Sequence, residues 1–245
     1  MYEMDKIIEI RIKKHVRDYL KRQVEKFSQK QNFEEQIVNP FWLALIKSQL
    51  NVETKQKLAR FLVFYGKTKG MTGSFGLKLQ EIAGEFSHEA PKKGFHLRIK
   101  KGQKIYNVIV VSGPQHNTSN VAKYLSKMET SKKDFPGEIP VFGICYGNKD
   151  TLKLSFSNNL RIALKNEKIV IGKDFWQFIS GDKNCRNEVL ELIQDEASKF
   201  SKSDDYDSIY DALIKQSESL DEYFSEMYGD DPKKFWKNFF RDIYI

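Results

Sequence analysis

The chain has 245 residues, 40% hydrophobic and 30% charged, an ordinary globular mix long enough for one large domain or a domain with a helical extension. Its formal net charge of +8 favours an anionic partner. Without a run of 18 apolar residues no membrane span is expected, and two cysteines, Cys145 and Cys185, are too few for a disulfide framework or a zinc site.

The N-terminus, Met-Tyr-Glu-Met-Asp-Lys-Ile-Ile-Glu-Ile-Arg-Ile-Lys-Lys, alternates charge with Ile and lacks the apolar core of a signal peptide, so cytoplasmic residence is expected. Ile8, Ile12, Val16, Tyr19, Leu20, Val24 and Phe27 recur at helical spacing, which predicts an amphipathic helix over residues 5–30 with a basic outer face. Asn39 before Pro40 breaks the pattern, and residues 41–49 and 53–65 read as helical again. Gly66 to Gly76, Gly-Lys-Thr-Lys-Gly-Met-Thr-Gly-Ser-Phe-Gly, reads as a loop that lacks the Gly-Lys-Ser/Thr ending of a P-loop. Ser74 then caps a helix whose apolar stripe is Phe75, Leu79, Ile82, Ala83 and Phe86, with Glu81 and Glu85 one turn apart beside it.

Strands follow. Phe95, Leu97 and Ile99 alternate with His96, Arg98 and Lys100, a hairpin turn surrounds Gly102, and residues 105–111 are apolar on both faces, as in a central buried strand. Val121, Leu125 and Met128 mark a helix, and 139–147, 152–156 and 168–172 are further strands. Residues 173–179 begin a helix and 186–200 form another. Ser201 to Asp205 is the best linker, which divides the chain into an α/β domain with N-terminal helices at 1–200 and a helical extension at 201–245. That extension holds six Lys and Arg against eleven Asp and Glu, a balance of −5, so residues 1–200 carry +13. Its aromatic end, with Phe235, Trp236, Phe239 and Phe240, must be buried, on its own chain or in a dimer. Trp42, Trp176 and Trp236 are expected in the core.

The order of these pieces resembles the type II restriction endonucleases of the PD-(D/E)XK superfamily, in the group whose active-site strand ends in Lys-Ser-Gly-Pro. Asn39–Phe41, Thr72–Ala83, Phe95–Asn120, Pro140–Asn148 and Gly172–Gly181 carry the resemblance. It implies a mixed β-sheet core flanked by helices, with helical N- and C-terminal extensions. It implies a homodimer that binds duplex DNA at a short palindrome and cleaves it with Mg²⁺. Acidic groups hold the metal, and a lysine stabilises charge on the phosphate.

The chain departs from that pattern at the chemistry. Counting back from Ser112, the lysine position is Val111, the carboxylate position is Ile109, and the first-strand aspartate falls near Phe95, His96 or Arg98. Three accounts stay open: a DNA binder without cleavage, a relocated set of catalytic groups, or a shared fold with other chemistry. The local stock for relocation is Glu81, Glu85, His88, Glu89, His96, Lys100 and His116, with Glu81 as the candidate metal ligand and His96 or His116 as a base. Glu81 is otherwise a solvated helix residue, and His96 otherwise a surface histidine. Lys67, Lys69 and Arg98 suit phosphate contacts. Ser112, Gln115, Asn117 and Asn120 follow the buried strand and either face DNA bases or satisfy a polar turn.

Overall fold

The structure is a computed structural model that describes residues 4–29, 40–114, 118–148, 150–151, 167–203 and 206–243. Among these are eight helices and one four-stranded sheet. The helices are α1 (Lys6–Ser28), α2 (Pro40–Gln49), α3 (Lys55–Gly84), α4 (Thr118–Asp134), α5 (Lys173–Ser180), α6 (Cys185–Ser201), α7 (Ile209–Tyr228) and α8 (Pro232–Ile243). The strands are β1 (Leu97–Lys101), β2 (Lys104–Val111), β3 (Ile139–Ile144) and β4 (Lys168–Ile171). The fold is the expected mixed α/β core with flanking helices. The chain divides into two compact units, residues 1–19 with 73–197 and residues 20–72 with 198–245.

The first unit contains the sheet, in the order β1-β2-β3-β4. β1 and β2 form an antiparallel hairpin in which Leu97 faces Val108 and Lys101 faces Lys104, and Gly102 takes a φ of +59° to turn it. β2, β3 and β4 run parallel, with Ile109 beside Phe142 and Phe142 beside Ile169. Parallel neighbours need a crossover, and α4 makes the one between β2 and β3. Strand β2 is covered on both faces, which is why its six residues from Tyr106 to Val111 are all buried. Ile109 and Val111 meet Met128, Tyr124 and Leu125 of α4. On the other face Gly143 leaves room for the ring of Phe175 on α5, which a Cβ would approach to 2.5 Å. The outer edge of β1 is closed by side chains: Ser87 Oγ accepts from Arg98 N at 2.9 Å and His88 Nδ1 accepts from Lys100 N at 3.1 Å.

The second unit is helical. Val24 and Phe27 of α1, Leu43 of α2, Leu58 and Val63 of α3, Leu213, Leu220 and Phe224 of α7 and Phe235, Trp236 and Phe239 of α8 form one core. The aromatic chain end is therefore buried against its own chain, and Trp236 Nε1 donates to the carbonyl of Glu53 at 2.7 Å. Local chemistry starts both C-terminal helices. Ser208 caps α7 by accepting from Asp211 N at 3.1 Å. Asp231 caps α8 by accepting from the amides of Lys233 and Lys234, with Pro232 at the first helical position.

One expectation fails. Gly66 to Gly76 is not a loop but the middle of the 30-residue helix α3, and Ser74 lies inside it rather than at its start. Glycine lowers helix propensity by about 1 kcal/mol at each position, yet no proline interrupts the stretch. Packing on both sides overrides the propensity: Leu58 and Val63 are buried before it, and Ile82, Ala83 and Phe86 after it. The hydroxyls of Thr68 and Thr72 donate back to the carbonyls of Phe64 and Thr68 instead of opening a turn. The expected strand at 152–156 lies outside the described residues, as does part of the linker at 204–205.

Candidate functional site

The hairpin is where the sequence places the chemistry, and its geometry follows from the pleat. Directly opposed residues share a face, so the pairing of Leu97 with Val108 puts His96 on the face of Ile109. That face holds no carboxylate at the strand's end. Ile109 is 0% exposed and Val111 1%, both in a core cluster with Phe95, Phe142 and Ile144. A magnesium ion requires oxygen donors, and the side chains of Ile109 and Val111 supply none. Among all described residues, no group of three or more His, Cys, Asp or Glu side chains is arranged to hold a metal ion.

His96 is engaged in the sheet instead. Its backbone N–H donates to Val108 O at 2.9 Å, and its Nδ1 accepts from Val110 N–H at 2.8 Å. The side chain thus continues the ladder one step past the end of β1. Burial, and then the nearby Lys127 ammonium, push its pKa below the usual histidine value, which keeps the ring neutral and Nδ1 able to accept. Arg98 is also occupied: its guanidinium bridges Glu89 and Glu138. Glu138 in turn accepts from the amide of the fully buried Asn107 at 2.6 Å. Burial pushes the Glu138 carboxyl up, but the bonds from Asn107 and Arg98 outweigh it and leave the pKa lowered. Lys100 is exposed near the turn.

A second cluster lies between α1 and the last turns of α3. His15 Nε2 is 2.7 Å from Glu85, and its Nδ1 is 3.4 Å from Glu81. Arg11 reaches Glu85 at 3.2 Å, and Lys78, itself 5% exposed, pairs with Glu81. The cluster turns away from the strand end. A Cβ on Gly76 would come within 2.7 Å of Ser112 Oγ, so that side of α3 faces the end of β2. Glu81, five residues on, is rotated by about 140° from that side. Glu81 is half-exposed, and its carboxylate already has His15 and Lys78 as partners.

The remaining sequence candidates are dispersed. Ser112 is half-buried against Gly76, and Asn120 is exposed in the first turn of α4. Lys67 and Lys69 are both on α3, two residues apart and so on different sides of the helix. Gln115, His116 and Asn117 lie outside the described residues. No bond among the described residues joins Glu81 to His96 or Lys100. Sequence reasoning missed His15 and Lys78. For His15 the signal was present: it lies three residues after Ile12 and four before Tyr19, on the inner stripe of α1. Lys78, in a stretch read as a loop followed by a new helix, gave no such sign.

A mixed sheet led by an antiparallel hairpin, with helices on both faces and a basic chain around it, defines a protein of the nuclease-like α/β class. Residues 8–201 match the family of type II restriction endonuclease EcoO109I, and the chain belongs to that family. The comparison with curated proteins returns no match. Membership places the chain among proteins that bind DNA, in a family of deoxyribonucleases that typically use a divalent metal. No helix of the described residues is long and apolar enough to cross a membrane.

Proposed function

We propose that this family member is a site-specific duplex-DNA-binding protein, a cytoplasmic homodimer, whose hairpin does not hydrolyse phosphodiester bonds. The observation that carries this reading is the burial of Ile109 and Val111 beneath α4. Their side chains neither hold a cation nor donate to a phosphate, and the core they join is continuous across the sheet. His96 and Arg98, which flank them, are committed to a backbone amide and to two carboxylates. Affinity then comes from lysines that meet phosphates, which makes it steeply salt-dependent. Lys67 and Lys69 are the proposed contacts of the helical unit. Ser112, Gln115, Asn117 and Asn120 are those of the sheet unit, with the amides suited to base edges.

A second reading is Mg²⁺-dependent cleavage from a relocated set, with Glu81 as metal ligand and His96, Lys100 and His116 assisting. The convergence of His15, Glu81 and Glu85 with the buried Lys78 is the observation in its favour. One experiment separates the two. Purified protein is incubated with plasmid DNA in Mg²⁺ and in Mn²⁺, and binding to duplex fragments is followed as salt is raised. The first reading expects salt-dependent retention of DNA and no discrete fragments in either metal. Discrete fragments that vanish in Glu81→Gln transfer the conclusion to the second.

A further inference from the structure

A groove of about 310 Å³ runs along the helical unit between the second half of α1 and the middle of α3, lined by Gln23, Lys26 and Phe27 on one side and by Val63, Gly66, Lys67 and Gly70 among others on the other. Its volume is in the range of small-ligand clefts. Three features set it apart from an ordinary seam between helices.

The first is polar. Gln23 is 8% exposed, and its side chain makes no hydrogen bond to any described residue. Its amide is not among the enclosed unpaired polar atoms, so its donor and acceptor stay accessible where it lines the groove. The second is electrostatic. Lys26 and Lys67 both line the groove, no described carboxylate lines it, and no described acid pairs with either. Lys67 lies 5.6 Å from the centroid of the Phe27 ring. Burial, and then the Lys26 ammonium, push the pKa of Lys67 down, as expected where two cations lie close together. The third is steric. Gly66 and Gly70 stand one turn apart on the groove side of α3, and a Cβ built on either meets nothing within 4 Å. The helix there offers a flat strip of backbone beside the apolar walls of Phe27, Leu62 and Met71.

An anionic group for two lysines, a flat body for a glycine strip, and a donor–acceptor edge for a glutamine amide are one chemical description. We propose that this groove is a nucleotide site: phosphate at Lys26 and Lys67, the planar base on the Gly66–Gly70 strip, and its edge on the amide of Gln23. Glutamine pairs bidentately with adenine, so an adenine nucleotide is the preferred form. The same chemistry is offered by a free mononucleotide and by a nucleotide within a DNA strand. The site goes beyond the DNA-binding reading and does not require it.

The test titrates the full chain with adenosine monophosphate, cytidine monophosphate and inorganic phosphate by calorimetry, and separately with a short duplex. It compares the native protein with Gly66→Leu, Gln23→Leu and Lys67→Ala. Leucine is a better helix former than glycine, so Gly66→Leu should fill the groove with no fall in melting temperature, which thermal unfolding checks. For a free nucleotide, adenosine monophosphate binds saturably, Gly66→Leu and Lys67→Ala each weaken it tenfold or more, and Gln23→Leu removes the preference over cytidine monophosphate. If only the duplex binds, and Gly66→Leu weakens it tenfold, the nucleotide belongs to DNA. The proposal is overturned if neither ligand responds to Gly66→Leu, or if inorganic phosphate binds as tightly as the nucleotide. A native chain that ignores duplex DNA sinks the DNA-binding reading alone, because the mononucleotide titration still reports on the groove.

Discussion

His96 stands in the sequence between a surface role and a site role, and its neighbours decide the matter. Alternation with Leu97 says only that it faces away from one apolar layer. The bond from Val110 N–H to Nδ1 shows what the ring holds together. Removing it in His96→Ala leaves a buried amide unpaired, with an expected loss of about 1–3 kcal/mol in chemical denaturation. The pH dependence has a definite sign. The folded pKa lies below the ordinary value of 6.5, so the proton prefers the unfolded chain. The contribution is complete above 6.5 and is lost as pH falls from there through the lowered folded value. Native protein should lose more stability than His96→Gln on acidification from above pH 7 to below pH 6. Equal losses in the two proteins would refute the assignment. Val111 and Ile109 carry the converse lesson: two apolar residues at positions of expected chemistry are legible from sequence alone, and burial shows that they are packed rather than merely substituted.

Among the elements, β2, β3, α4 and α5 are legible because their apolar periods match their layers: continuous where both faces are covered, one stripe where one face is. α3 is not legible. Its glycines and threonines carry the composition of a loop, and only the burial of residues at both ends makes a helix the better solution. Glycines in the turns obey a stricter rule. Gly172 joins β4 to α5 at a φ of +55°, and a Cβ there would stand 2.2 Å from the carbonyl oxygen of Gly147. Backbone in that region costs an ordinary residue about 1–3 kcal/mol, and the clash adds to it. Gly172→Ala should lower the melting temperature by several degrees, and an unchanged melting curve would show that the β4–α5 junction relaxes freely. The equivalent change at Gly66 meets open space, so the same residue type has opposite consequences at two places in one chain.

At the scale of the whole molecule, charge is the property that sequence states most directly. A net charge of +8 around a nuclease-like sheet calls for a polyanion, and each phosphate neutralised contributes a slope of about −0.9 in log affinity against log salt. We expect duplex binding to weaken by at least tenfold between low and physiological ionic strength, measured by fluorescence anisotropy. Binding that ignores salt would argue against phosphate contacts. The acidic aromatic chain end behaves differently: Phe235, Trp236 and Phe239 are spent in the helical unit's own core, so the patch that sequence left between self-docking and dimerisation is closed within the chain.

By itself the sequence indicated the class of fold, the hairpin with its apolar second strand, the basic charge and the order of most elements. These depend on local period, residue chemistry and simple counts. Tertiary structure decided the course of α3, the engagement of His96 and Arg98, the meeting of His15 with Glu81 and Glu85, and the open groove beside Gln23. Each of these turns on which distant side chains arrive at the same place, and neither propensity nor spacing along the chain carries that information.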